Sequence, residues 1–458
     1  MTGPLIHRGG RHAPPDTPPE RGTPATRPRE LEWLAEVLWG PTPGVELLVR
    51  ERVPAGVPAT QRWGVLPDLR RPRVLVPLAS RRAAAEAVRQ YSDGMTQRAR
   101  LAKAAVGLGL AGGVVQWGLR RRGLVVAAAG PAAGSLLGDH VPAALGRSDL
   151  AAAIVLGPVR PNRKPVVQLI GRDGRPVGYM KVGWNELTRR LVRAEADMLA
   201  RLAGAEPRSF TAPDLLHQGR WQGLDITISS ALPHRLWRRG RRYALPPVAV
   251  SAEIAALGGV TAATLGESGW WAGLRERLVP VRQALEGQAA VTLDATLERL
   301  DAQAATRLAF GTWHGDWGPW NLRATGERLL VWDWERSGDG VPLGFDLLHF
   351  GYQTALQGLG QPPATAAATG RDRAAPLLAE LGQEPGVEEL LCDLYLLERL
   401  CRAAEAEVSA VTGRPDTVGA ALLGVLGRRL DPGGSGGGSG GSGGPPGWSP
   451  GGKGERTG

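Results

Sequence analysis

Between Asp149 and Ser229 the apolar positions fall in short runs cut by turn residues: AAAIVLGPV, the turn PNRK, PVVQLIG, the turn RDGRP, then VGYMKVG. Short apolar runs bounded by Gly, Pro, Asn and Asp form strands, so three antiparallel strands are predicted here. Two more fall around Leu215 to Gln218 and Leu224 to Ser229. Between them Leu187, Leu191, Val192, Ala194, Met198 and Leu202 recur at helical spacing, with Asn185 or Thr188 near the start of the helix. The result is a five-stranded antiparallel sheet with one helix. Upstream, Glu30 to Trp39 carries helical spacing, RVLVPL from Arg73 to Leu78 reads as a buried strand, and Ser80 caps a helix running to Tyr91. Beyond Pro233 the pattern is mainly helical, interrupted by a hairpin from Leu322 to Asp333 with its turn near Gly326. The nearly uncharged run Ala104 to Leu119 holds five glycines and Gln116. It falls short of the ~20 apolar residues a spanning helix needs, and is expected as a buried, Gly-interrupted helix.

These shifts divide the chain. Residues 1–29 form a Pro- and Arg-rich tail expected to be disordered, and 30–145 an accessory domain whose fold the pattern does not specify. The sheet-and-helix unit spans 146–232, the helical part 233–430, and a Gly/Ser-rich flexible tail 431–458. A second weakly structured insert is expected at Gln361 to Ala374.

Composition changes this picture little. With 43% hydrophobic and 22% charged residues, the 458-residue chain is an ordinary globular one. Its net charge of +11 comes almost wholly from arginine, lysine standing only at 103, 164, 181 and 453. That bias, with abundant Ala, Gly and Pro, fits a GC-rich bacterial genome. The clusters Arg120 to Arg122 and Arg238 to Arg242 are expected as solvated surface, with anionic lipid or nucleic acid as the alternative. Cys392 and Cys401 share one predicted helix without metal-ligand spacing, and no disulfide framework exists. With no signal-peptide pattern at the N-terminus, a cytoplasmic location is expected.

Chemistry concentrates in HGDWGPWNL, His314 to Leu322, and VWDWE around Asp333. A phosphoryl-transfer site needs a carboxylate beside the attacking hydroxyl, oxygen ligands for Mg²⁺ and a cation on the phosphates. Asp316 can face the hydroxyl while Asn321 and Asp333 share a metal across the base of the hairpin. The tryptophans at 313, 317, 320, 332 and 334 could form a stacking platform for a ligand, but ordinary packing is the expectation for most of them; Lys164 could contact phosphate from the hairpin turn, but a solvated turn residue is the expectation. Glu335 suits metal assistance or a structural role equally.

Both segments resemble the catalytic loop and metal-binding segment of the aminoglycoside phosphotransferase and choline kinase family, relatives of protein kinases. The resemblance implies an α+β, protein kinase-like fold of two lobes, the small one at 146–232 and the helical one at 233–430. It makes Asp316 the catalytic base, Asn321 and Asp333 the Mg²⁺ ligands, and Asp346 in GFDLLHF, with His314, structural supports of the loop. It further implies a lysine on the third strand paired with a glutamate on the next helix, positions matched by Lys181 and Glu195, and an adenine-binding linker at Ser230, Ala231 and Leu232. The turn RPNRK lacks the GxGxxG of a phosphate-covering loop.

The expected activity is therefore ATP- and Mg²⁺-dependent transfer of the γ-phosphate to a hydroxyl of a small molecule such as a sugar, an aminoglycoside or an amino-alcohol. For a cationic acceptor the acids Glu388, Glu389, Asp393, Glu398, Glu405 and Glu407 offer an acidic pocket, diluted by nearby arginines. The alternative is a catalytically inactive kinase-like module that binds nucleotide or a partner. No nucleic-acid partner is expected, and contact of the N-terminal part with a membrane surface is a third, weaker reading.

Overall fold

The computed structural model describes residues 29–40, 45–50, 61–90, 97–119, 123–128, 136–157, 162–232, 244–325, 328–408 and 417–430. Both predicted tails, apart from Arg29, both arginine clusters and the hairpin turn at Gly326 lie outside these residues.

The N-terminal region contains α1 (Arg29–Trp39), β1 (Val45–Arg50), β2 (Gln61–Leu66), β3 (Val74–Pro77), α2 (Arg81–Gln90), α3 (Gln97–Ala111), α4 (Val114–Leu119), β4 (Gly123–Ala128) and α5 (Leu137–Leu145). The next unit is β5 (Leu150–Val155), β6 (Val166–Gly171), β7 (Pro176–Gly183), α6 (Glu186–Ala205), the short β8 (Phe210–Thr211), β9 (Leu215–Trp221) and β10 (Leu224–Ser230). Ser80 caps α2 through its Oγ, 3.2 Å from the Ala83 amide, as the sequence predicts. At the start of α6, Asn185 Oδ1 accepts from the Thr188 amide at 2.9 Å while Thr188 Oγ1 accepts from the Asn185 amide at 3.0 Å, a reciprocal cap that uses both candidates.

The five predicted strands pair in the order β5-β6-β7-β10-β9, but they are only part of the sheet. Among the described residues it has nine strands, ordered β1-β4-β2-β3-β5-β6-β7-β10-β9, with antiparallel neighbours throughout. The region expected as an accessory domain of open fold thus continues the sheet past β5, whose outer edge would otherwise present unpaired backbone groups. One face carries a core in which Leu34, Trp39 and Trp63 pack with Val167, Met180, Trp184 and Ile226, so α1 and the strands around Lys181 share buried apolar surface. A hydrophobic alternation shows which face of a strand is buried but not which strand it pairs with.

One expectation fails in this region. The run Ala104 to Leu119 is helical and broken at Gly112 and Gly113, but Leu108, Val114 and Trp117 are 75%, 78% and 65% exposed. With Gly and Ala at most intervening positions, these helices have no continuous apolar stripe to bury. No helix of the described residues is long and apolar enough to cross a membrane.

The second lobe contains α7 (Val248–Ala256), β11 (Thr261–Thr264), α8 (Gly269–Ala284), α9 (Gly287–Asp301), β12 (Arg307–Trp313), β13 (Leu322–Thr325), β14 (Arg328–Val331), β15 (Gly338–Pro342), α10 (Phe345–Gln353), α11 (Pro363–Leu378), α12 (Glu388–Val408) and α13 (Thr417–Leu430). The hairpin β13-β14 is as predicted, whereas the sheet β11-β12-β15 is an addition. β12 is buried along nearly its whole length, and so short a buried run has no period that separates strand from helix. The insert expected to be irregular at Gln361 to Ala374 is mostly the alanine-rich helix α11, which starts at a proline suited to a first turn. It crosses α10 so closely that a Cβ on Gly351 would lie 2.7 Å from the Gly370 Cα. Low complexity here reflects close helix packing. Cys392 and Cys401 are both buried and free on α12.

Candidate active site

The loop after β12 is braced from three sides. Asp346, on the first turn of α10, accepts from the His314 amide at 2.7 Å and the Gly315 amide at 3.0 Å. Burial pushes its carboxyl above the usual range, while the two backbone amides and the Arg402 charge oppose that rise. His314 is fully buried; its Nδ1 accepts from the Asp316 amide at 3.2 Å and its Nε2 lies 3.0 Å from the Trp332 carbonyl, which assigns the proton to Nε2. Trp317 and Trp334 pack on the ring edge-on at 5.4 and 4.6 Å, as core residues. Gly315 has φ 80°, and a Cβ there would come within 2.0 Å of the Arg336 carbonyl oxygen, so this position requires glycine. Arg402 of α12 donates to the Gly315 carbonyl at 2.8 Å, stacks over Trp313 at 4.3 Å and is fixed by Glu398 at 2.6 Å.

Asp316 stands at the end of this scaffold with its side chain 31% exposed. Both Asn321 amide hydrogens go to Asp316, one to its carbonyl and one to Oδ2, each at 2.9 Å. Oδ1 lies 3.2 Å from His349 Nε2, and His349 Nδ1 in turn lies 2.9 Å from the Tyr395 hydroxyl. Burial would raise the Asp316 pKa, but the His349 bond and the positive field around Arg399 prevail and hold it below the usual carboxylate range. Burial lowers His349 to about 4 against the Asp316 bond, so the imidazole is neutral and donates through Nε2. Sequence reasoning missed both His349 and Arg402. His349 stands three residues after Asp346 in the quoted segment GFDLLHF, and that proximity was the available signal.

Across the cleft, Lys181 of β7 meets Glu195 of α6 at 2.8 Å, the pair implied by the resemblance. The same ammonium lies 2.5 Å from Asp333 and 3.4 Å from Glu335. Glu335 bonds Lys164 at 2.7 Å, so Lys164, 10% exposed, is not the solvated turn residue expected. Burial works against the Lys181 charge, yet the three carboxylates raise its pKa well above the usual value. Lys164 and Lys181 overcome burial at Glu335 and hold its carboxyl below the usual range, whereas burial dominates at Glu195 and raises it.

Asp333 has φ 70°, the left-handed region costly for a non-glycine residue and found where surrounding structure enforces it. The Trp332 amide bonds the Asn321 carbonyl at 3.2 Å, which sets Asp333 and Asn321 at one end of the β13-β14 hairpin. With its amide hydrogens taken by Asp316, Asn321 retains Oδ1, and the Asp333 carboxylate is 33% exposed. This oxygen-only donor set fits a hard dication such as Mg²⁺. Glu195, Asp333 and Glu335 also bring carboxylate oxygens within 4.8 Å of one another, around Lys181.

In the linker, the Ser230 amide donates to the Asp214 carbonyl at 2.8 Å and the Ala231 amide to the Val177 carbonyl at 2.9 Å, so these two donors are already bonded within the protein; Leu232 follows, 9% exposed. Several of the acids suggested for a cationic acceptor are likewise engaged. Glu398 and Glu405 pair with Arg277, and Asp393 and Glu389 with Arg429. Glu388 accepts from the Gly386 amide at 3.2 Å, and the side chain of Glu407 lies outside the described residues.

No protein-family model and no curated protein matches the sequence. Among solved structures, a thermostable mutant of aminoglycoside phosphotransferase APH(4)-Ia in ternary complex with ADP and hygromycin B is similar at 15% identity and a TM-score of 0.45, over 65% of this chain and 99% of the other. The GDP complex of aminoglycoside 2'-phosphotransferase-IIIa is similar at 12% identity and TM-score 0.38, over 60% and 92%. A choline/ethanolamine kinase family protein from Mesorhizobium loti is similar at 15% and 0.32, over 61% and 92%. The sheet-and-helix lobe with its Lys181–Glu195 pair, joined to a helical lobe that carries the loop from His314 to Asn321, is the two-lobed arrangement that the resemblance to protein kinase-like proteins implies.

Proposed function

We propose that this chain is a phosphotransferase that moves the γ-phosphate of ATP to a hydroxyl of a small molecule. The observation that carries the reading is the convergence, from separate elements, of a partly exposed, ionised Asp316 with Asn321 and Asp333 at one hairpin and the Lys181–Glu195 pair opposite. Phosphoryl transfer needs little covalent chemistry from protein and much positioning, which these bonds supply.

Asp316 accepts the hydrogen bond of the acceptor hydroxyl and orients its oxygen at the γ-phosphorus. As the new O–P bond forms, the bond to the β,γ-bridging oxygen breaks, and the hydroxyl proton passes to Asp316. The depressed pKa makes Asp316 a weak base and a good orienter, suited to a transition state in which the proton leaves late. His349, neutral and itself held by Tyr395, fixes one oxygen of Asp316, and Asn321 fixes the other. Lys181, steadied by Glu195, neutralises the α- and β-phosphates, and the base lies along Ser230 to Leu232. A Mg²⁺ ion held by Asn321 and Asp333 would supply charge neutralisation on the phosphate oxygens.

The arginine pairing of Glu389, Asp393, Glu398 and Glu405 favours a neutral, hydroxyl-rich acceptor over a polycation. Incubation with ATP, Mg²⁺ and a library of hydroxylated metabolites, read as a mass gain of one phosphate, tests the reading. Tight nucleotide binding with no phosphorylated product from any acceptor would favour the inactive module.

A further inference from the structure

The resemblance implies that the turn between β5 and β6 covers the triphosphate, and RPNRK there has no glycine pattern to wrap phosphates in backbone amides. Residues 158–161 lie outside the described residues, but the two cations that end the turn, Arg163 and Lys164, are placed. Their side chains go opposite ways.

Val166 and Lys181 are cross-strand partners on β6 and β7, so they face the same side of the sheet. Lys164 lies two residues before Val166, and its ammonium reaches the same side, meeting the Glu335 carboxylate 2.5 Å away. Since Glu335 is also 3.4 Å from Lys181, one buried carboxylate bridges an ammonium on β7 and another from the turn that precedes β6. Arg163 turns away from the cleft. Its guanidinium lies 4.7 Å over the ring of Trp33 on α1 and bonds Glu30 at 3.1 Å, while its carbonyl accepts from Trp184 Nε1 at 2.9 Å. Trp184 packs edge-on against Trp33 at 5.6 Å. The end of the turn is thereby anchored to the N-terminal helix on one side and presents a lysine to the nucleotide on the other.

We propose that Lys164 is a second phosphate-binding cation, contacting the β- and γ-phosphates of a nucleoside triphosphate in place of a glycine-rich loop. The inference rests on the phosphotransferase reading above. An ammonium brings three donors and a full charge to the phosphate oxygens, so a single placed lysine does what several loop amides do elsewhere. Lys181 and Lys164 hold Asp333 and Glu335 between them. With Asp333 serving a metal, Lys181 would be free for phosphate, and Glu335 would keep both lysines at their spacing.

The test is titration calorimetry on the full chain with ATP, ADP and AMP, each with Mg²⁺. Lys164→Ala is expected to weaken ATP and ADP by about ten-fold or more, the worth of one charge-assisted bond, and to leave AMP nearly unchanged. Lys164→Arg should recover most of the loss. Because Lys164→Ala strips one partner from a buried carboxylate, the pair Lys164→Met with Glu335→Gln, measured against Glu335→Gln alone, gives the same readout without an uncompensated charge. Equal ATP affinity in that pair and its reference, or an equal loss for ATP, ADP and AMP, would overturn the inference. If Lys181→Ala then weakened ATP while the Lys164 variants did not, the phosphotransferase reading would stand without it. A wild-type chain that bound none of the three nucleotides would overturn both.

Discussion

The two walls of the cleft are built on different principles. On the loop side, Asp316 is held by hydrogen bonds from groups that are not themselves proposed to touch a ligand: the Asp346 carboxylate on two backbone amides, His349 backed by Tyr395, and Arg402 on the Gly315 carbonyl. On the opposite side Lys164, Lys181, Glu195, Asp333 and Glu335 hold one another through ion pairs, some of which would be exchanged for phosphates and a metal under the proposed function. Hydrogen bonds of fixed geometry suit the group that must be aimed. Exchangeable ion pairs suit groups that must change partner, and they keep buried charges compensated in the meantime.

Changes on the loop side should therefore act on turnover or on folding, and changes on the ion-pair side on nucleotide affinity. The largest effect is expected from Asp316→Asn, which keeps the Asn321 and His349 neighbours but removes the proton acceptor: kcat in an ADP-release assay should fall by about 10³-fold, with ATP affinity little changed. Lys181→Met should do the reverse, weakening ATP by roughly 10- to 100-fold, read by calorimetry, while the loop retains its geometry. Asp346→Ala leaves the buried His314 and Gly315 amides without an acceptor and should cost about 2–4 kcal/mol in urea unfolding. An effect of that size on ATP affinity and none on folding would invert the comparison.

The smallest expected effect lies in pH dependence. His349 has a folded pKa of about 4 against an ordinary 6.5, so the folded state prefers the neutral ring. Its contribution to stability is fully present above pH 6.5 and is lost as pH falls from there through about 4. Glu335, held below its ordinary 4.5 by Lys164 and Lys181, adds a second loss that begins only below about pH 4.5. In His349→Gln, which carries no titrating ring, the decline in melting temperature between pH 6.5 and 4 should flatten, leaving the Glu335 decline in place. Because the His349 bond helps hold Asp316 low, the acid limb of the rate profile should also move to higher pH in this variant.

Much of this was legible in the sequence, for reasons that differ by residue. Lys181, Glu195, Asp316, Asn321, Asp333 and Asp346 follow one another along the chain on elements whose pattern is strong, so motif and period together place them. The nine-stranded sheet was not legible because strand alternation says nothing about which edges meet. α11 was read as irregular because Ala, Thr and Gly at 361–374 give no apolar stripe, although it is the smallness of Gly351 and Gly370 that lets α10 and α11 meet. Arg402, far along the chain from Gly315, reaches the loop only through tertiary packing, and among so many arginines nothing in the sequence marks it. Lys164 was read as solvated because a turn is usually exposed; here α1 and Trp184 anchor the turn from below.

The most direct test of the central claim is to incubate wild type and Asp316→Asn side by side with ATP, Mg²⁺ and a library of hydroxylated small molecules, following ADP release and a mass gain of one phosphate on any library member. A phosphorylated product from the wild type, with about 10³-fold slower formation by Asp316→Asn, is the predicted result. Product formed at equal rates by both, or ATP bound by the wild type with no product from any member, would contradict it.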